Sequence, residues 1–107
     1  MKNKPSPQQS EMKRHASLAA SMLKQIANTQ RLVILCALVE GEKSVGDLAE
    51  HVHLSQSALS QHLAKMRASD LVDTEKRGQK IYYRLASPEA RAILSTLHLI
   101  YCRNEIA

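Results

Sequence analysis

The sequence predicts a mainly α-helical domain with one small β-hairpin, and three observations carry that expectation. Before residue 70, apolar residues recur mostly at three- and four-residue spacing, the mark of helices with one buried face. After Asp70 the pattern changes to two short extended runs, LVDTEKR and KIYYRL, joined through Gly78 and Gln79. The chain has 107 residues, enough to fill one core and too few for a second.

The elements follow in order. Residues 1–10, MKNKPSPQQS, hold two prolines, glutamines and lysines with almost nothing apolar, so they are expected to form a basic, disordered tail. From Glu11, residues Met12, Ala16, Ala19, Met22, Leu23 and Ile26 mark an amphipathic first helix, and the domain is expected to span 11–107. Asn28 or Thr29 caps a second helix. Its run LVILCALV is apolar on every side, as expected of a helix at the centre of a small domain, and Gly41 ends it. Ser44 followed by Asp47 resembles a capping box, and Val45, Leu48, Ala49 and Val52 form a short third helix ending near residues 51–53. Ser55 caps a fourth, in which Leu59, Leu63 and Met66 face inward while Ser57, Ser60, Gln61 and Ala64 cluster opposite. The hairpin comes next. Ser87 and Pro88 then begin a last helix as N-cap and first turn, with Ile93, Leu94, Leu97, Ile100 and Tyr101 as its stripe.

The balance of 15 Lys and Arg against 10 Asp and Glu gives a net charge of +5 and points to a polyanionic partner. No apolar run approaches the ~20 residues needed to span a bilayer, and the opening residues have no apolar signal core, so a cytoplasmic protein without membrane contact is expected. Trp and Phe are absent and only three Tyr occur, which argues against single-strand binders that stack bases on aromatic platforms. Double-stranded DNA is the expected partner.

Two helices separated by the short turn His53-Leu54-Ser55, the second with a polar outer face and followed by a basic hairpin, have the order of a winged helix-turn-helix: four helices, two strands and a fifth helix. Amide and hydroxyl groups on that outer face can both donate to and accept from base edges, while small neighbours let the helix lie deep in the major groove. Gln56, Ser57, Ser60 and Gln61 are the candidate readers of base edges and nearby phosphates. A solvated face of this length usually carries Glu and Lys pairs, and these are missing. Arg77, Gln79 and Lys80 at the hairpin tip are expected to reach the DNA backbone or the minor groove, adding affinity without sequence information. His62 lies beside the inward stripe and reads as a packed histidine.

The stretch VGDLAEHVHLSQSALSQHLAKMRASDLVDTEKRGQKIYYRL resembles the DNA-binding core of the ArsR/SmtB family of bacterial repressors, and the similarity runs from about Leu18 to Cys102. Within that family it is most similar to the dithiol branch that includes HlyU, BigR and SqrR, which pairs a cysteine in the second helix with one in the last. The resemblance implies a homodimer built from the first and last helices, autonomous DNA binding, and release when an inducer is sensed; by symmetry such a dimer is expected to choose an inverted-repeat operator. It also implies that Cys36 and Cys102 respond to reactive sulfur or oxidants. By residue type alone Cys36 reads as packing, since it sits in LVILCALV like any small hydrophobe. A cytoplasmic setting argues against a permanent disulfide.

A metal-responsive repressor of the same family is the alternative. Where many members place Cys-x-Cys before the helix-turn-helix, this chain has Ser44, Val45 and Gly46, and its last helix offers His98 and Glu105 without the usual zinc set. His15, His51 and His53 are at most weak ligands, so no metal and no cofactor is expected. A thiol oxidoreductase is the remote alternative, and it lacks a C-x-x-C pair, a Gly-rich phosphate loop and any nucleophile with base and orienter at recognisable spacing. No enzyme is expected. A membrane-surface role for the amphipathic terminal helices competes with their use as a dimer seam, and the seam is the preferred reading.

Overall fold

A computed structural model describes residues 7–101. The elements are α1 (Pro7–Ile26), α2 (Thr29–Val39), β1 (Lys43–Ser44), α3 (Val45–Val52), α4 (Gln56–Ala68), β2 (Val72–Arg77), β3 (Lys80–Leu85) and α5 (Pro88–Tyr101). The helices begin where short polar side chains can accept an orphan N–H. Asn28 Oδ1 accepts from Arg31 N at 3.1 Å, Ser44 Oγ from Asp47 N at 3.2 Å, Ser55 Oγ from Ala58 N at 3.2 Å and Ser87 Oγ from Ala90 N at 3.0 Å. Helix α3 ends on His53, a non-glycine residue in the left-handed region (φ 57°) whose N–H bonds Ala49 O. Gly41, at φ 146°, follows the α2 C-cap in a conformation that favours glycine.

One cluster of buried side chains joins these elements. Ile34, Leu35 and Leu38 from α2 meet Leu48 of α3, Leu59, Leu63 and Met66 of α4, Leu71 and Val72, Leu85 of β3, and Ala90 and Leu94 of α5. Burying each large member fully is worth about 1.5–3 kcal/mol relative to leaving it in water. Strands β2 and β3 pair antiparallel from Val72↔Leu85 to Arg77↔Lys80, and Gly78 (φ 62°) makes the turn between them. One face of the hairpin carries Val72, Thr74, Ile81, Tyr83 and Leu85, and Val72 and Leu85 anchor it in the core.

The structure departs from the sequence-based expectation in three places. Helix α1 starts at Pro7 rather than Glu11, because proline at the first helical position needs no N–H partner. Of the expected tail, residues 7–10 belong to α1, and residues 1–6 lie outside the described residues. Helix α2 is not buried on every side. Val33 is exposed and Leu32, Cys36 and Val39 are half-buried, so α2 has a surface stripe as well as a core stripe. The third departure is β1, a two-residue strand that pairs with β3 (Lys43↔Tyr83, Ser44↔Tyr82) and completes a sheet of order β1-β3-β2.

Candidate nucleic-acid interface

Helices α3 and α4 form the helix-turn-helix, and the core holds α4 by Leu59, Leu63 and Met66, all fully buried. With those three residues turned inward, helical geometry turns Ser57, Ser60, Gln61 and Ala64 outward, and these four are exposed, as is Gln56 at the first position of the helix. None is charged. Ser57 is partly occupied at the helix start, its Oγ 3.3 Å from Ser55 Oγ. Lys65 and Arg67 are exposed in the last turn. His62 is half-buried at the edge of the inward stripe.

The hairpin tip holds the other predicted residues, and Arg77, Gln79 and Lys80 are all exposed there. They are not equivalent. Arg77 is engaged by two carboxylates: its Nη2 donates to Glu75 Oε1 at 3.1 Å and pairs with Glu42, and its guanidinium carbon lies 4.8 Å from the centre of the Tyr82 ring. Arg84 similarly bonds Asp73 Oδ1 (2.7 Å) and Glu75 Oε1 (2.8 Å). These contacts hold the Glu75 carboxyl below its ordinary range, through Arg77 first and Arg84 second. They hold both guanidiniums above theirs, Arg77 mainly through Glu75 and Glu42, Arg84 mainly through Asp73. Among the described residues, Lys76 and Lys80 have no such partner.

Composition and spacing did not single out Glu42 or Tyr82. Glu42 sits in an irregular connection and Tyr82 counts only as a strand former; the β2–β3 pairing sets Tyr82 diagonally across from Arg77, and the pairing of β1 with β3 brings Glu42 to the same sheet.

Cys36 is half-buried on the surface stripe of α2. Cys102 lies outside the described residues. One turn beyond Cys36, Glu40 meets both His98 of α5 (Nε2 to Oε2, 3.4 Å) and His51 of α3 (Nε2 to Oε1, 3.8 Å). Among the described residues no group of three or more His, Cys, Asp and Glu is placed to hold a metal ion, and no helix is long and apolar enough to cross a membrane.

Residues 28–74, from the α2 cap into β2, match the family model of bacterial regulatory proteins, arsR family. The chain is 47% identical over 93 residues to the transcriptional activator HlyU of Vibrio cholerae, covering 87% of this chain and 86% of that protein. It is 37% identical over 95 residues to the biofilm growth-associated repressor of Xylella fastidiosa, covering 89% and 83%. The solved structure of reduced HlyU from Vibrio cholerae superposes with a TM-score of 0.81 at 48% identity, covering 86% of this chain and 97% of that one. With its helix-turn-helix, its wing and relatives that are transcriptional regulators rather than enzymes, the chain belongs to the arsR family of bacterial regulatory proteins and is a winged helix-turn-helix transcriptional regulator.

Proposed function

We propose that this regulator is a sequence-specific repressor. It binds an inverted-repeat operator as a homodimer built on α1 and α5, and its affinity is set by a Cys36/Cys102 dithiol that responds to reactive sulfur or oxidants. The observation that carries the DNA reading is the exposed surface of α4, with Gln56 at its start and Ser57, Ser60 and Gln61 on its outer face, all uncharged and capable of both donating and accepting. Gln79 and Lys80 on the wing supply the contacts that hold the protein on the backbone.

The dimer reading is supported by apolar surface with no cover in one chain. Helix α1 buries only Ile26 of its 20 residues, leaving Met12, Leu18 and Leu23 exposed, and α5 leaves Leu99, Ile100 and Tyr101 exposed. Such surface on two neighbouring elements is the mark of an interaction face.

The dithiol reading is supported by the Glu40–His98 contact. Cys36 lies one helical turn before Glu40 on α2, and Glu40 meets His98 of α5, the helix that Cys102 follows in the sequence. A covalent link between the two would close a long loop, a constraint of about 4 kcal/mol on the unfolded chain. A relative at 48% identity has been solved in a form described as reduced.

The test is selection from a random duplex pool, followed by affinity measurement on the selected and on random duplexes. A specific regulator should prefer its operator by about 10³-fold or more. Equal affinity for both would overturn the reading. Exposing the protein separately to persulfide, peroxide and zinc, with mass spectrometry and DNA affinity on each product, then identifies the inducer class.

A further inference from the structure

The outer face of the wing carries Asp73, Glu75 and Arg77 on β2 opposite Arg84, Tyr82 and Lys80 on β3. Arg77, the last residue of β2, is where a wing cation would be expected to meet a phosphate. Its partners instead come from two strands and from the segment entering the third: Glu75 belongs to β2, Tyr82 to β3, and Glu42 immediately precedes β1. Because the strand order is β1-β3-β2, the side chain runs from one edge of the sheet across the middle strand to the segment entering the other edge. That segment leads directly into the helix-turn-helix, since Ser44 of β1 is also the N-cap of α3. Strand β1 is two residues long, so backbone pairing alone ties the wing to this junction weakly.

We propose that Arg77 is a positioning residue for the wing and not a phosphate contact. By clamping Glu42 and Glu75 across Tyr82, it fixes where Lys76 and Lys80 stand relative to α4. The planar fork of arginine suits this role, because it can serve two carboxylates while lying over an aromatic ring. The inference rests on the DNA-binding reading above for its consequence, and on the wing geometry for its cause.

The two roles predict opposite signs for one substitution. With Arg77 as a clamp, Glu42→Gln weakens operator binding although it removes a negative charge. Arg77→Gln weakens it by about 3- to 10-fold with the salt dependence unchanged, and the double variant is no weaker than Arg77→Gln alone. With Arg77 as a phosphate contact held back by Glu42, Glu42→Gln tightens binding and Arg77→Gln lowers the salt slope by about 1, results that would overturn the proposal. Amide hydrogen exchange at residues 76–81 in the DNA-free protein decides the clamp independently. Faster exchange in both single variants supports it, and unchanged exchange in either overturns it. Should the parent protein prefer no duplex, the DNA reading fails while exchange still decides the clamp.

Discussion

His98 Nε2 of α5 lies 3.4 Å from Glu40 Oε2 at the C-cap of α2, and the same carboxylate meets His51 of α3. Glu40 is about half exposed, so these contacts contribute little stability as ion pairs. Their interest is geometric. One residue at the end of the central helix touches both the last helix and the first helix of the helix-turn-helix.

Cys36→Ser and Cys102→Ser should each keep reduced-state DNA affinity and fail to release DNA on persulfide treatment. In the parent, a coupling of about 1–3 kcal/mol corresponds to roughly 5- to 150-fold loss of affinity. Anisotropy titrations before and after treatment measure this. Mutants that respond like the parent would assign the thiols to packing.

Base reading and backbone contact should separate. Gln61→Ala should cost about 1–3 kcal/mol on the selected operator and relax preference at one base pair, whereas Lys80→Ala should weaken all duplexes alike and lower the salt slope by about 1. Equal losses for Gln61→Ala on operator and random duplex would place that side chain on phosphate.

Leu99 is 55% exposed in one chain, so Leu99→Asp should leave the fold intact while splitting a dimer built on α1 and α5. Sedimentation velocity of parent and variant reads this directly. Footprints of the parent should show half-sites one helical turn or a multiple apart, ~10–10.5 base pairs per turn, and a single asymmetric half-site would count against the dimer.

Ser55→Ala removes the acceptor for Ala58 N and should cost about 1 kcal/mol, lowering Tm by about 4–8 °C for a domain of this size. Thermal unfolding checks it. Ser55→Asp, which keeps an acceptor at the cap, should recover most of the loss.

The wing should loosen in acid. The carboxyl of Glu75 is held below its ordinary value of 4.5 in the folded protein, so its contribution is fully present above that value and is lost as pH falls through the lowered one. Amide exchange at the hairpin tip, corrected for intrinsic rates, should accelerate over that range in the parent. Glu75→Gln should show the weaker hold already at neutral pH and little further change.

Much of this was legible in sequence because it depends on neighbours. Asn28, Ser44, Ser55 and Ser87 cap helices through bonds to residues three positions on, and Gly78 makes the wing turn through its own backbone freedom. The inward stripe of Leu59, Leu63 and Met66 determines which side chains α4 turns outward, so the candidate DNA face is read from periodicity alone.

What only the tertiary structure decided are relationships between distant residues. Strand β1 carries no pattern of its own and exists because β3 offers an edge to Lys43 and Ser44. The surface stripe on α2 appears because its neighbours cover only part of a helix that is apolar all round. Arg77 reads in sequence as a free wing cation, and it becomes a tied one when the sheet brings Glu42 alongside. Local propensity and spacing determine elements and their faces, while the partner of a charge is set by which segments the burial of Ile34, Leu48, Leu63 and Leu94 forces together.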